Sequence, residues 1–198
     1  MKQIMIATKN EGKVKEFAEL FQRHGIHVKS LLDVEDAVDV KETGTTFAEN
    51  AILKAETISK ITGEAVIADD SGLVIDALDG RPGVYSARYA GEQKDDEANI
   101  DKALKELEDV PLEKRTAHFV CVIAVAVPGE ETETFTGTCD GLIMRERSGK
   151  NGFGYDPIFY LSQKGSTMAE LTKQEKNRVS HRALALKKMM DHWKILKK

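Results

Sequence analysis

The chain has 198 residues, a formal net charge of −4 and an ordinary composition for a globular protein. Such a charge argues against bulk binding to nucleic acid or to an anionic membrane, so any cationic site must be local. The length suits one large domain or one domain with two lobes, and we predict a single domain over residues 1–198.

The two cysteines and the first residues predict a cytoplasmic protein. Cys121 and Cys139 lie in predicted strands, and two cysteines are too few for a disulfide framework in a chain of this length. Buried thiols in a reducing compartment are therefore favoured. The first apolar run reaches polar residues at Thr8, which is too early for a signal peptide. No segment approaches the length of a membrane span.

Hydrophobic periodicity and turn residues predict alternating strands and helices. The first half is predicted to contain a strand at Ile4–Ala7, a helix over Val14–Phe21, a strand at Ile26–Leu32, an acidic loop at Asp33–Gly44, and a helix capped by Thr45 or Thr46 and ended by Gly63. Two strands follow, one from Val66 and one at Leu73–Leu78, and then a helix at Asp95–Leu107. The chain continues with a hairpin of strands Ala117–Val127 and Thr132–Cys139 and a closing helix at Ser180–Leu196. Strand–helix units combined with a hairpin predict an α/β fold with a mixed sheet and flanking helices.

The segment Val66–Leu73 contains two adjacent carboxylates, Asp69 and Asp70, after a short apolar run. In an open α/β sheet, a buried strand delivers such acids to the mouth of a cleft. Two neighbouring carboxylates repel each other unless a positive charge, such as a divalent cation, lies beside them. The alternative interpretation is a strand followed by an Asp-Ser-Gly turn.

The loop between the first strand and the first helix is a candidate phosphate site, because a helix N-terminus offers unpaired N–H groups and positive potential to an anion. Its residues are Thr8, Lys9, Asn10, Glu11, Gly12 and Lys13. The glycine spacing is not that of a Walker loop. The alternative is an ordinary helix cap at Asn10 with a solvated Lys13.

Two later motifs contain groups that could bind a nucleobase. The stretch Gly152–Pro157 interleaves glycines with aromatic residues, and an aromatic face can stack on a base. Lys176 and the run Ser180–Arg182 supply several hydrogen-bond donors close together. The alternatives are a glycine-rich turn with aromatic residues in the core, and decoration of a helix N-terminus capped by Ser180.

Taken together, these motifs resemble the inosine triphosphate pyrophosphatase family, and within it the bacterial pyrophosphatases of non-canonical purine nucleotides such as dITP and XTP. The resemblance covers essentially the whole chain in the family's order. The matching stretches are Ile6–Lys13, Glu42–Ala51, Ala68–Leu73, Gly83–Tyr89, Gly152–Pro157 and Ser180–Arg182.

The resemblance implies a mixed, twisted sheet with flanking helices, two lobes around a long cleft, and a homodimer. It implies hydrolysis of ITP, dITP and XTP to the monophosphate and pyrophosphate with Mg²⁺, which removes deaminated purines from the nucleotide pool. The resemblance implies that Thr8–Lys13 bind the triphosphate and that Glu42 and Asp70 bind Mg²⁺, with Asp70 also the proton acceptor. It implies that Ser71 contacts the substrate. The base and sugar would be bound by Phe153, Gly154, Tyr155 and Asp156, and the base also by Lys176, His181 and Arg182.

Other interpretations remain open from the residues alone. A related class of nucleotide pyrophosphatases acts on pyrimidine or methylated nucleotides, but it lacks the Ser-His-Arg motif. A nucleotide-sensing module would bind a triphosphate without cleaving it, although a pure binder gains little from adjacent acids. A soluble α/β protein whose motifs are only caps and turns is the third possibility.

Overall fold

The structure, a computed structural model, describes residues 2–192. Its strands are β1 (Lys2–Ile6), β2 (Ile26–Ser30), β3 (Val66–Ile75), β4 (Thr116–Ala126), β5 (Glu133–Ile143), β6 (Phe159–Leu161) and β7 (Ser166–Thr167). The helices of the described residues are α1 (Glu11–Gln22), α2 (Phe47–Thr62), α3 (Asp96–Glu106), α4 (Lys173–Val179) and α5 (His181–His192). None of these helices is long and apolar enough to cross a bilayer.

The seven strands form one mixed sheet in the order β2-β1-β3-β4-β5-β6-β7. β1 pairs in parallel with β2 and with β3, whereas β6 is antiparallel to both β5 and β7. The parallel pairs are joined through α1 and α2, as crossover connections require. The predicted mixed α/β fold with flanking helices is confirmed.

The chain divides into two compact units, each with its own core. The first contains residues 2–70, 121–137 and 182–192, and the second contains residues 71–120 and 138–181. In the first core, Phe17 and Phe21 of α1 pack with apolar residues of β1, β3, β4 and α5. In the second, Leu73 and Ile75 of β3 pack with residues of α3, β5 and β6. A single domain over the whole chain stays a prediction.

Local sequence chemistry determines where α2 begins and ends. The Thr46 hydroxyl accepts the N–H of Glu49 at 3.2 Å, and the Glu49 carboxylate accepts the N–H groups of Thr46 and Thr45 at 3.1 and 2.7 Å. The three-residue spacing from Thr46 to Glu49 is that of a reciprocal capping box. Gly63 ends the helix with φ +69°, a conformation that favours glycine.

One prediction in this region was wrong. β3 does not stop at the acids and restart at Leu73, because it runs without a break from Val66 to Ile75. The Asp-Ser-Gly segment resembles a turn, but Leu73 is buried in the second core and its N–H donates to the Ser86 hydroxyl at 2.8 Å. Tertiary burial therefore keeps the segment extended.

Within the described residues the predicted closing helix is present as α5, and an additional helix, α4, precedes it. Two helices, α4 and α5, meet at Ser180, which has extended backbone angles. α5 begins at His181, and Trp193 and Leu196 of the predicted helix lie outside the described residues.

The caps predict a defined acid sensitivity. Hydrogen bonds from Thr45 and Thr46 lower the pKa of Glu49, and hydrogen bonds from Thr172 lower the pKa of Glu175, both from an ordinary value of 4.5. A lowered folded-state pKa gives stability that is present above about pH 4.5 and is lost as the pH falls through the folded-state value. We expect the double variant Glu49→Gln, Glu175→Gln to unfold at a lower temperature than the unmodified protein at about pH 7, with the difference shrinking towards about pH 3.

Thermal unfolding followed by circular dichroism measures this difference, and Glu130→Gln, in the turn after β4, is the control. A temperature difference that stays constant between these pH values would contradict the assignment of the caps.

Candidate functional site

The first unit contains a buried ion cluster at β3. It consists of Lys13, Glu16, Glu42, Asn50, Lys54, Asp69, Asp70 and Arg182. Successive side chains of a strand point to opposite faces of the sheet. Asp69 contacts Lys13 and Arg182, whereas Asp70 contacts Asn50 and Lys54.

Asp69 is held by two cations from the helices α1 and α5. Its Oδ2 lies 3.0 Å from Lys13 Nζ and 3.0 Å from Arg182 Nη2, and its side chain is fully buried. Burial raises the pKa of Asp69, but the charges of Lys13, Arg182 and Lys54 outweigh burial and leave the pKa well below its usual range. Asp69 is consequently a permanent anion that joins α1, β3 and α5.

Asp70 faces α2 and has a different environment. Asn50 Nδ2 donates to its Oδ2 at 3.1 Å, and Lys54 Nζ lies 3.7 Å from its Oδ1. Burial is the largest effect on the pKa of Asp70; together with the Glu42 charge it outweighs the opposing charges of Lys54 and Lys13, so the pKa is raised. Two adjacent carboxylates with pKa values shifted in opposite directions suit different tasks, and Asp70 is the one that can take up a proton.

Lys54 joins Asp70 to the loop before α2. Its Nζ lies 2.5 Å from Glu42 Oε1, and only 11% of its side chain is exposed. Burial lowers the pKa of Lys54, but the nearby charges of Asp70, Asp69 and Glu42 raise it by more. The ammonium therefore stays charged, and Glu42 is not merely one surface carboxylate among many.

The predicted phosphate loop lies at the N-terminus of α1. Asn10 caps the helix, since its Oδ1 accepts the N–H of Lys13 at 3.0 Å, and the Thr8 hydroxyl accepts the N–H of Asn10 at 3.2 Å. Lys9 Nζ donates to the carbonyl of Ala37 at 2.9 Å, and Glu11 pairs with Lys15 on the exposed surface. Asn10 therefore caps the helix as one interpretation predicted, but Lys13 is not solvated, because its side chain extends to Asp69.

Arg182 is fully buried in the first unit. Its guanidinium contacts Glu16 and Asp69 and lies 5.6 Å over the ring of Phe17. Burial lowers the pKa of Arg182, but the charges of Asp69 and Glu16 raise it by more. The grip of Arg182 on a base stays a prediction, and the contacts of its side chain with two carboxylates were not foreseen.

In the second unit, three predicted base-site residues contact one another. Lys176 Nζ lies 2.6 Å from Asp156 Oδ2 and 4.9 Å from the centre of the Phe153 ring. Asp156 Oδ2 also accepts the N–H of Phe153 at 3.0 Å. A side chain at Gly152 would collide with the Asp156 carboxylate, so the glycine makes this arrangement possible. We call Phe153, Asp156 and Lys176 the aromatic–lysine group.

The remaining predicted residues of the second unit have structural partners. The Tyr155 hydroxyl donates to the carbonyl of Ser86 at 2.9 Å, and the Gly154 N–H donates to Asp96 at 2.8 Å. The His181 ring stacks on Phe119 with 4.7 Å between ring centres. Ser71 lies half-buried in β3. Their roles towards a substrate stay predictions.

Sequence reasoning missed Asn50 and Lys54. Both belong to α2, one turn apart, next to the apolar positions Ala51, Ala55 and Ile58 that pack into the core. An amide and an ammonium at the edge of a buried helix stripe require polar partners, and this pattern could have indicated them.

The two thiols are buried, and the Cys121 Sγ lies 3.9 Å from Asp69 Oδ2. Cys121 and Cys139 are buried free thiols. Burial and then the charge of Asp69 raise the pKa of Cys121, and burial raises the pKa of Cys139 to about 11. Neither thiol supplies a thiolate nucleophile near neutral pH.

Glu42 and Asp70 form the donor set that best fits a divalent cation. Both carboxylates converge on one ammonium, that of Lys54, so they already define a point that binds positive charge. Mg²⁺ is typically held by one or two carboxylates and completed by water and substrate phosphates. Within residues 2–192 there is no group of three or more His, Cys, Asp or Glu side chains placed to hold a metal. A metal role of Glu42 and Asp70 stays a prediction.

The fold and the ion cluster define an α/β protein with a mixed sheet, a basic helix N-terminus and two differently tuned acids on an inner strand. The chain belongs to the Ham1 family, whose model matches residues 4–192. This assignment confirms the resemblance drawn from the motifs.

Close relatives span nearly the whole chain. A dITP/XTP pyrophosphatase of Geobacillus kaustophilus is 62% identical over 193 residues, covering 98% of this chain and 95% of the relative. The dITP/XTP pyrophosphatase of Bacillus subtilis is 59% identical over 189 residues, covering 96% of each. The solved structure of the Staphylococcus aureus Ham1 protein matches with a TM-score of 0.85 and 48% identity, covering 96% of this chain and 97% of that one.

The buried pair of Asp69 and Arg182 predicts a large stability effect. Arg182→Met leaves the Asp69 and Glu16 carboxylates with less compensating charge in the interior, so we expect the free energy of unfolding to fall by about 3–5 kcal/mol. Urea denaturation at neutral pH measures the change.

Lys15→Met, which removes an exposed ion pair with Glu11 on the same helix α1, is the control and should change stability by less than about 0.5 kcal/mol. Equal effects of the two substitutions would contradict the buried position of Arg182.

Proposed function

We propose that this chain hydrolyses non-canonical purine nucleoside triphosphates, ITP, dITP and XTP, to the nucleoside monophosphate and pyrophosphate. Support comes from the name dITP/XTP pyrophosphatase of relatives that are 62% and 59% identical over nearly the full length. The observation that carries the mechanism is the contacts of the two acids: Asp69 Oδ2 lies 3.0 Å from Lys13 Nζ and from Arg182 Nη2, whereas Asp70 lies beside Asn50 and Lys54.

The N-terminus of α1 and its lysines bind the triphosphate. The unpaired N–H groups of a helix N-terminus and the charge of Lys13 attract phosphate oxygens. Asp69 holds the Lys13 ammonium at 3.0 Å, which orients this charge before the substrate binds. Lys9 is tied to the acidic loop through Ala37 and adds positive charge to the same segment.

Glu42 and Asp70 are the residues that would hold Mg²⁺. Such a metal would supply positive charge for the departing pyrophosphate and would make water more acidic. Lys54 neutralises part of the negative charge of the two carboxylates, so that they remain close together before and after the substrate is present.

Asp70 takes the proton of the attacking water. A general base must be ionised when it acts, and the Asn50 amide and the Lys54 ammonium lie beside the two oxygens of the Asp70 carboxylate. The water oxygen forms a bond to the first phosphorus atom, and the bond from that phosphorus to the oxygen bridging to the second one breaks. Pyrophosphate leaves with the bridging oxygen. No covalent intermediate is needed, in keeping with the protonated thiol of Cys121.

The aromatic–lysine group binds the base. Phe153 offers a face for stacking, and Asp156 holds the ammonium of Lys176 beside that face. Hypoxanthine and xanthine carry an acceptor oxygen at C6, whereas adenine carries an amino donor. The donors of Lys176 and His181 would pair with the oxygen, and they would face the adenine amino group with no acceptor, which discriminates strongly.

The setting of the reaction follows from the same proposal. The enzyme acts on free nucleotides in the cytoplasm, where it removes deaminated purines, and the buried free thiols are compatible with a reducing compartment. It works as a homodimer, as the family resemblance implies, and needs neither nucleic acid nor a membrane as partner.

A substrate panel tests the proposal. We expect ITP, dITP and XTP with Mg²⁺ to release pyrophosphate much faster than ATP, GTP or dTTP, with no orthophosphate as primary product. We also expect Asp70→Asn to lower kcat about 100- to 10,000-fold, because it removes the general base.

Asp109→Asn, at an exposed position of the second unit, is the matched control and should retain full activity. Orthophosphate release, equal rates on ATP and ITP, binding without turnover, or an active Asp70→Asn enzyme would each overturn the proposal.

The stacking platform gives a separate prediction. Phe153→Ala should raise KM for ITP by about 5- to 100-fold with a small effect on kcat, because stacking contributes about 1–3 kcal/mol per base. Phe153→Tyr keeps the flat ring and should restore KM in steady-state kinetics. A Phe153→Ala enzyme with unchanged KM would remove this residue from the base site.

A further inference from the structure

The side chain of Asn50 connects two parts of the first unit. It is fully buried on α2, where its Oδ1 accepts the N–H of Gly44 at 2.8 Å and its Nδ2 donates to Asp70 Oδ2 at 3.1 Å. One amide therefore joins the loop that carries Glu42 to the carboxylate of Asp70.

The two bonds determine how the amide is turned. The Gly44 N–H can only donate, so the end of Asn50 that faces it must be the oxygen. The end that faces Asp70 is then the NH₂ group, which can only donate. The arrangement thus holds Asp70 Oδ2 as the acceptor of the Asn50 amide.

A second group of α2 faces the other oxygen of the same carboxylate. Lys54 lies one helical turn after Asn50, and its Nζ is 3.7 Å from Asp70 Oδ1. The capping box of Thr46 and Glu49 fixes where this helix begins. Each oxygen of Asp70 therefore faces a donor whose position is set by α2.

The loop leaves room for no side chain at position 44. A Cβ added at Gly44 would lie 2.7 Å from Asn50 Oδ1 and 2.7 Å from Glu49 Cβ, well inside contact distance. The close approach of the Gly44 backbone to Asn50 therefore depends on glycine. The glycine two residues before the Thr46 cap is explained by this approach.

We propose that Asn50 is a positioning residue, which orients the Asp70 carboxylate for proton transfer and keeps the Glu42 loop in register with it. This inference rests on the proposed function, in which Asp70 accepts the proton of water. Asn50 touches neither water nor nucleotide in this scheme, and it acts through Asp70. Misplacement of a reacting group by about 1 Å can lower a rate about 100-fold, which sets the size of the expected effect.

Asn99 provides a matched control. It is also buried, its Oδ1 accepts the N–H of Ala90 at 2.7 Å, and its Nδ2 donates to the carbonyl of Ala87 at 3.2 Å. It makes the same two kinds of bond, but both partners are backbone groups of the second unit. If Asn50 served only to stabilise the fold, its substitution should affect stability and kcat in the same way as the substitution of Asn99.

The test compares Asn50→Asp, Gly44→Ala and Asn99→Asp with the unmodified enzyme. Asn50→Asp retains an acceptor for Gly44 but turns an oxygen towards Asp70 Oδ2, so we expect kcat for ITP with Mg²⁺ to fall about 100-fold. The Kd of an ITP analogue with nitrogen between the first two phosphorus atoms, measured by calorimetry, should change less than about 3-fold. Gly44→Ala, which breaks the bridge from its other end, should lower kcat in the same direction. Asn99→Asp should lower the melting temperature and leave kcat within about 2-fold.

The outcomes separate the two claims. If the unmodified enzyme releases no pyrophosphate from ITP, the proposed function fails and the positioning role fails with it. If it does, and Asn50→Asp keeps its kcat or loses kcat only in proportion to its melting temperature as Asn99→Asp does, the positioning role alone is overturned. If Asn50→Asp does not fold, Gly44→Ala decides, and an unchanged kcat in that variant overturns the inference.

Discussion

The structure of the first unit depends on the alternation of side chains along β3. Two consecutive aspartates would repel each other strongly if they shared one environment, but a strand sends them to opposite faces. Asp69 meets Lys13 and Arg182, and Asp70 meets Asn50 and Lys54. Because each acid has its own donors, the protein keeps two carboxylates next to each other in the interior, where unpaired charges would be very costly.

The separation has a chemical consequence. Asp69 is held as an anion by cations from α1 and α5, so it fixes the basic N-terminal loop of α1 on the sheet. Asp70 has the raised pKa and is therefore the member of the pair that can exchange a proton. Lys54 balances the charge of Asp70 and Glu42, which lets two carboxylates converge on the place where a cation and phosphates would bind. Structural and chemical tasks thus fall to neighbouring residues of one strand.

Local features of this fold could be predicted from the sequence, because they depend on residues a few positions apart. The capping box of Thr46 and Glu49, the stop at Gly63 and the Asn10 cap are of this kind. The mixed sheet followed from the order of the periodic segments, and the family followed from motifs in a fixed order.

The wrong prediction and the missed residues concern positions whose structure is determined by contacts between residues far apart in the sequence. The Asp-Ser-Gly segment has the composition of a turn, but burial of Leu73 keeps β3 extended. Arg182 was recognised as a site residue, whereas its contact with Asp69 joins positions 113 residues apart and has no local signal. Lys54 and Asn50 were missed because their partners come from a different strand and loop, and helix periodicity alone cannot name them.

The most direct test of this account is the titration of the aspartate side chains in the metal-free protein by carbon NMR of labelled carboxyl groups, with Asp69→Asn and Asp70→Asn used to assign the two signals. The account predicts that Asp70 takes up its proton at a higher pH than an ordinary aspartate, while Asp69 stays ionised until the protein unfolds in acid. Two signals that titrate together near the ordinary value for aspartate would contradict it.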